Sequence, residues 1–276
     1  MDLIFFDLDG TLLNKSSELT SFTRDTLNLL REKGIAHTVA TGRTMVSAKR
    51  VLDGHSFDLP HIYSNGVTVW DPRDNGLTLE NLLSQDEAEQ VIDSALSHSL
   101  APFVNTVASN QNNHDHIIFH GKLRQEVESN LVKNYFETVD VTLQPLKSLD
   151  DDAQITNISM IGETSVVRQV QQQIEEIESL VAYSGQAIEG AEFSWIDIHH
   201  RHANKGSAIE NLKTQLGASN IICFGDSYND LSMFKLADEC YAPENAKCEV
   251  KEIASAVIGH HHDDGVALFL RERFSL

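Results

Sequence analysis

Apolar residues run unbroken from Leu3 to Phe6, too briefly for a helix and with a high share of β-formers, as in a strand buried on both faces. The run stops at Asp7. After a polar turn, Thr20 can cap a helix whose apolar positions Phe22, Leu27, Leu29 and Leu30 fall mostly on one side, and Gly34 closes it. Ile35 to Ala40 again reads as a strand. Strand, helix and strand within about forty residues make a βαβ unit, because a parallel pair needs a crossover. The second half repeats the theme. Lys205 to Leu216 carries Ala208, Ile209, Leu212 and Leu216 at helical spacing, Gly217 ends it, and Ile221 to Phe224 is another strand of the buried type. The pattern predicts an α/β protein with a doubly wound parallel sheet.

Between these halves the texture changes. Asp74, Asn75 and Gly76 signal a hairpin. Helices are predicted over Asp86 to Leu96 and Val166 to Leu180, and short β-type pieces over Ile155 to Ile161 and Phe193 to Ile198. The polar stretch SNQNNHDH, Ser109 to His116, reads as an exposed loop. The expected organisation is therefore a core from residues 1–82 and 196–276, interrupted by an α+β insert spanning 83–195.

Composition narrows the function classes. A chain of 276 residues accommodates one large domain or two smaller ones, and 41% hydrophobic residues argue against disorder. Asp and Glu outnumber Lys and Arg by 41 to 21, which argues against a nucleic acid held through its phosphates. An anionic substrate would need local cations to overcome that field, and a bound metal is a direct way to supply them. Cys223, Cys240 and Cys248 show no zinc or redox spacing and read as buried or incidental thiols. No stretch has the length of a membrane span, and Met1 leads into Asp2 without a basic n-region, so the expectation is a cytoplasmic protein with no membrane partner. Oligomeric state is not legible in the pattern.

In open α/β sheets ligands bind beyond the carboxyl ends of the strands. The first strand end delivers Asp7, Leu8, Asp9, Gly10 and Thr11; the second delivers Thr41, Gly42 and Arg43; the third delivers Gly225, Asp226, Ser227, Tyr228, Asn229 and Asp230. Four carboxylates around one crevice cannot all stay ionised without compensation, and a hard dication such as Mg2+ suits oxygen-only ligands. Lys205, opening a helix, could be the organic cation of the site. Simpler readings exist for each residue taken alone. Asp7 and Asp9 could be exposed turn acids, Lys205 a solvated residue in a first helical turn, and Asp226 and Asp230 helix-start charges. DLDG can also begin a calcium loop with Glu18 at its twelfth position, but Leu12 stands where that loop needs glycine, and a strand precedes it instead of a helix.

Taken together, FFDLDGTLL (Phe5 to Leu13), TGR (Thr41 to Arg43), Lys205 in NKGSAI and GDSYNDLSMF (Gly225 to Phe234) resemble the haloacid dehalogenase superfamily, in its Cof-type phosphatase branch. SNG at Ser64 to Gly66, PENA at Pro243 to Ala246 and DGVA at Asp264 to Ala267 extend the likeness over nearly the whole core. The resemblance implies a Rossmann-like core with an inserted cap of the C2 kind that governs substrate specificity. It implies Asp7 as the nucleophile that forms a phosphoaspartate, and Asp9 as the acid that protonates the leaving alkoxide and then activates water. Asp7, the main-chain carbonyl of Asp9, Asp226 and Asp230 would hold Mg2+, and Thr41, Gly42, Lys205 and Asn229 would grip the phosphoryl group. Arg43 and Asn65 would face the substrate or serve structure.

The physical logic of that assignment stands beside the resemblance. Phosphate monoesters hydrolyse so slowly unaided that enhancements reach ~10^21, and a covalent carboxyl phosphate splits the reaction into two easier steps. Two-residue spacing lets Asp7 and Asp9 point the same way from an extended segment while Leu8 faces the core, and Gly10 lets the backbone turn away. The expected function is Mg2+-dependent hydrolysis of a small phosphorylated metabolite, with sugar phosphates the leading class. A phosphotransferase or mutase would pass the phosphoryl group to a sugar hydroxyl, and a phosphometabolite-binding protein would keep the fold without turnover. Two histidine clusters remain: His199, His200 and His202 lie close to Lys205 and could reach the cleft, while His260, His261 and His262 before Asp263 could hold a transition metal but read better as a solvated loop, because consecutive histidines rarely all face one ion.

Overall fold

The apolar runs become strands because pairing satisfies their backbone while both faces are covered. A computed structural model describes residues 1–110 and 113–276. The chain begins with β1 (Asp2–Phe6), α1 (Ser21–Glu32), β2 (Ala36–Val39), α2 (Met45–Val51), β3 (His61–Tyr63), β4 (Thr68–Asp71) and β5 (Gly76–Leu79). It continues through α3 (Gln85–Ser97), β6 (Phe103–Asn110), β7 (Asn113–His120), α4 (Glu126–Asn134), β8 (Thr142–Pro145), β9 (Ile155–Glu163), α5 (Thr164–Glu175), β10 (Leu180–Gln186) and β11 (Phe193–His200). The last part holds α6 (Lys205–Leu216), β12 (Asn220–Phe224), α7 (Leu231–Leu236), β13 (Glu239–Pro243), α8 (Cys248–Ile253), β14 (Ala256–Ile258) and α9 (Gly265–Phe274).

Two compact units result, one of Met1–Thr78 with Asn204–Leu276 and the other of Leu79–Ala203. In the first, an all-parallel sheet has the order β14-β13-β12-β1-β2. Leu3, Ile4, Phe5 and Phe6 are all fully buried, with Ile4 and Phe6 in one apolar cluster and Leu3 and Phe5 in the other. That alternation is what a strand covered by helices on both faces requires. Chain order reverses beside β1, since β2 lies on one side and β12 on the other, so the switch point where α/β sheets bind ligands falls between β1 and β12. Thr20 caps α1 by accepting the Thr23 N–H at 3.0 Å, and Asn204 caps α6 by accepting the Ser207 N–H at 2.9 Å. Gly217 ends α6 at φ 65°, in the left-handed region that glycine enters without strain. A small antiparallel sheet, β3-β4-β5, turns at Asn75 with φ 58°.

The second unit is a six-stranded sheet, β10-β11-β9-β6-β7-β8, whose apolar cluster gathers Val91 of α3, Ile158 of β9 and Val170 of α5. The sequence placed a loop at Ser109 to His116. Instead β6 and β7 form a hairpin in register from Phe103↔His120 to Asn110↔Asn113, and 111–112 of that stretch lie outside the described residues. Cross-strand pairing outweighs the low β-propensity of the polar residues. The helix expected to run to Leu180 stops at Glu175, because Leu180 is the buried first residue of β10, paired with His200 of β11. β11 pairs with β9 and β10 on both sides of residue 196, so the whole strand belongs to the second unit. Among the described residues no helix is long and apolar enough to cross a membrane.

Ser84 starts α3 with a reciprocal cap, its hydroxyl accepting the Glu87 N–H at 3.3 Å while Glu87 Oε2 accepts the Ser84 N–H at 2.8 Å. Ser84→Ala is expected to cost about 1 kcal/mol, and Ser84→Thr much less, read from the midpoint of urea unfolding.

Candidate active site

The strand register carries one residue past β1, where the Asp7 N–H still donates to the Phe224 carbonyl at 2.9 Å. Asp7 thus emerges at the carboxyl end of β1 beside β12, in extended conformation, and the next side chain, Leu8, enters the core. The backbone then bends back at Gly10, with φ 74°, and the Leu13 N–H closes the turn on the Leu8 carbonyl at 2.9 Å. A Cβ at residue 10 would lie 2.5 Å from Asp226 Oδ2, so glycine is required both by the dihedral and by the close approach of Asp226.

Lys205, the first residue of α6, lies fully buried between two acids. Its Nζ donates to Asp7 Oδ1 and to Asp230 Oδ1, each at 2.6 Å. Asp230 turns its second oxygen to the backbone, where Oδ2 accepts the N–H groups of Asp226 and Ser227 at 2.8 and 2.9 Å. Asp226 Oδ1 accepts the Thr11 hydroxyl at 3.3 Å. One oxygen from each of Asp7, Asp226 and Asp230 lies within 4.8 Å of the others. These residues all belong to the first unit.

Burial raises the Asp7 carboxyl well above the ordinary carboxylate value, with Lys205 opposing and the Asp230 and Asp226 charges adding to the rise. Burial, then the Asp230 charge, pushes Asp226 up to about 7, against Lys205 and the Thr11 hydroxyl. Burial opposes the Lys205 charge, yet Asp230 and Asp7 outweigh it and hold the ammonium above its usual range, so this group is a fixed cation. When all three are ionised, the carboxylates exceed the one ammonium by two negative charges, the charge that one divalent cation neutralises. The donor set is oxygen only, which fits Mg2+ better than a transition metal.

A second group of residues gathers from β2, β3 and the turn after β12. The Thr41 N–H donates to Ile62 O at 2.9 Å, and the Asn65 N–H donates to Thr41 O at 3.0 Å, which brings the SNG turn against TGR. Asn65 sits buried at φ 54°, and Asn229 Nδ2 donates to its Oδ1 at 2.9 Å. Gly42 faces this pair, since a Cβ there would lie 3.2 Å from Asn65 Oδ1 and 3.5 Å from Asn229 Nδ2. Arg43 donates from Nε and Nη2 to the two oxygens of Asp9, at 2.6 and 2.7 Å, and its backbone N–H reaches Thr41 Oγ1 at 3.2 Å. Asp7 and Asp9 are therefore held by different cations, one buried and one near the surface.

Sequence reasoning assigned no role to Asn245 or Thr11. Asn245 Nδ2 donates to the Gly10 carbonyl at 2.7 Å and so supports the turn. PENA was visible as a motif, but only the tertiary contact shows what its asparagine holds. The first histidine cluster belongs to the second unit, where His199 is fully buried with Nε2 3.5 Å from Asp197 and His200 lies 3.9 Å from Glu87. The second cluster lies in a turn where His262 is exposed and His260 and His261 are partly buried, and the three rings meet at centroid distances of 4.0 to 4.9 Å.

Fold and site together define a parallel α/β enzyme with a carboxylate centre braced by one buried lysine. Residues 4–270 match the haloacid dehalogenase-like hydrolases, and the chain belongs to that family. It is 29% identical to 5-amino-6-(5-phospho-D-ribitylamino)uracil phosphatase YwtE of Bacillus subtilis, covering 100% of this chain and 99% of the relative. To YitU of the same organism, named for the same activity, it is 26% identical, covering 99% and 98%. A haloacid dehalogenase-like hydrolase from B. subtilis shares the fold with TM-score 0.80 and 21% identity, covering 98% and 99%. A crystal structure from Thermotoga maritima does so with TM-score 0.76 and 24% identity, covering 98% and 96%.

A carboxyl whose folded pKa is raised stabilises the fold below its unfolded value, and that contribution is lost as pH rises through the folded one. For Asp226 the window runs from the ordinary 3.8 to about 7. Chelator-treated wild type is expected to lose stability relative to Asp226→Asn between pH 4 and pH 7, measured as the difference in Tm. Parallel curves would mean that Asp226 is not charged against its surroundings.

Proposed function

We propose that this enzyme is a Mg2+-dependent phosphatase that hydrolyses a small phosphorylated metabolite through a phosphoaspartyl intermediate on Asp7. A sugar phosphate or phosphorylated sugar alcohol is the leading substrate class, in keeping with the ribityl phosphate named for two relatives. The observation that carries the reading is the Asp7 carboxylate at the switch point, oriented by a permanently charged Lys205 and flanked by Asp226 and Asp230. Such an array serves nucleophilic attack on a centre that develops negative charge.

Lys205 occupies Asp7 Oδ1, so Oδ2 is the oxygen that forms the bond to phosphorus as the ester P–O bond breaks. The departing alkoxide takes a proton from the Asp9 carboxyl. Asp9, now ionised, accepts a proton from water, whose oxygen attacks phosphorus; the Asp7 O–P bond breaks and inorganic phosphate leaves. The bidentate pair with Arg43 suits only the ionised Asp9, so that pair forms and opens once per cycle. Asp7, Asp226, Asp230 and the main-chain carbonyl of Asp9 would hold Mg2+, which when bound supplies charge neutralisation for the phosphoryl oxygens. Thr41, Gly42 and Asn229 would bind those oxygens at the mouth of the site. To the second unit we assign the role of a cap that selects the substrate and excludes water.

Asp7→Asn is expected to lower turnover of a generic aryl phosphate at least about 10^3-fold while leaving the circular dichroism spectrum unchanged. Turnover near wild type would sink the nucleophile assignment. Asp9→Asn should slow single-turnover phosphoryl transfer and let phosphorylated protein accumulate, detected as a mass increase in the intact chain. Excess chelator should abolish turnover and added Mg2+ restore it. A panel of phosphorylated sugars, sugar alcohols, nucleotides and coenzymes, assayed for phosphate release with and without an acceptor sugar, identifies the substrate and separates hydrolysis from transfer.

A further inference from the structure

The turn before α9 carries three consecutive histidines, a motif to which the proposed phosphoryl chemistry assigns no role. His261–Asp263 form a single turn of 3-10 helix, and His260 precedes it with a ring nitrogen accepting the His262 N–H at 3.1 Å. One nitrogen from each ring lies within 4.8 Å of the others. Convergence is unusual for adjacent residues, which a 3-10 turn spreads by about a third of a turn each. Here the turn is pinned on three sides. His261 Nδ1 is 2.7 Å from the Leu13 carbonyl, and the His261 N–H donates to Asn245 Oδ1 at 3.3 Å. Asp264 accepts the Thr20 and Thr23 hydroxyls at 2.6 and 2.9 Å. Gly259 and Gly265 close the base so tightly that a Cβ on Gly265 would lie 1.8 Å from the Gly259 carbonyl oxygen.

We propose that His260, His261 and His262 form a second metal site, for a transition-metal dication of the Zn2+, Ni2+ or Cu2+ class, chemically separate from the carboxylate centre. Imidazole nitrogen suits these ions and does not suit Mg2+. The bond from His261 Nδ1–H to Leu13 O fixes that ring's tautomer and turns Nε2 to the ion, the arrangement that metal-binding histidines use in general. The neutral His260 ring has one lone pair, now bonded to the His262 N–H, so metal binding exchanges that single hydrogen bond for a coordinate bond. Water or the exposed Asp263 carboxylate completes a four-coordinate shell. The net charge of −20 raises the local concentration of any dication.

The test uses the tag-free, metal-stripped full chain in millimolar Mg2+, titrated with Co2+ by visible absorption and with Zn2+ by calorimetry. The same titrations on Asp226→Asn separate this site from the carboxylate centre. Asp226→Asn protein is expected to bind one equivalent of Co2+ with a d–d band that Zn2+ displaces. Adding His260→Ala or His262→Ala to it should weaken that binding at least tenfold. His262 is exposed, so its removal leaves folding intact, checked by an unchanged urea midpoint without metal. The proposal is overturned if Asp226→Asn protein binds no stoichiometric Co2+, or if binding survives both histidine substitutions undiminished.

Discussion

One buried ammonium holds the catalytic unit together. Lys205 Nζ bonds Asp7 at the end of β1 and Asp230 in the turn after β12, and Asp230 in turn accepts the backbone N–H groups beside Asp226. Such a charge is tolerable in the interior only because both neighbours are anionic; without it, two buried acids would be left uncompensated, a loss on the order of 3–5 kcal/mol for a broken buried pair. The same constraint orients Asp7, fixes one of its oxygens and gathers carboxylates whose excess negative charge suits a dication. Burial and the neighbouring acids raise Asp7 and Asp226, so ionising the whole group is opposed by its own surroundings.

Around that centre, glycines and asparagines do the fine positioning. Gly10 gives Asp226 its room, Asn245 fastens the Gly10 carbonyl, and Asn65 and Asn229 bond each other across the mouth. None of these contacts is local in sequence. They follow from the ends of β13, β12 and β1 being neighbours in the parallel sheet, and from the bridge between Ala40 and Ile62 that brings the end of β3 beside them.

This explains which parts were legible beforehand. β1, α1, α6 and β12 were readable because burial on both faces and capping by Thr20, Asn204 and Gly217 leave marks on adjacent residues. The acids and Lys205 were readable because their types are rare together at strand ends. The β6–β7 hairpin was not, since polar residues in a strand are carried by the partner strand and not by their own propensity. Arg43 was expected near substrate or in a structural role; its grip on Asp9 depends on a side-chain path across the crevice that spacing does not encode. The gathering of three adjacent histidine rings was hidden for the same reason, because Leu13, Asn245 and Thr20 impose it from elsewhere in the chain.

The first unit is assembled from the two ends of the chain, with β1 paired residue for residue to β12, Asp2 against Asn220 through Phe6 against Phe224. Without α6 and β12 the apolar β1 strand has no partner on one edge and Asp7 no counterion. A pairing so distant in sequence also makes closure of this sheet a slow, late event in folding. The Asp7–Lys205 pair joins residues 198 positions apart, so the site exists only when the whole unit has closed and in no contiguous piece of it.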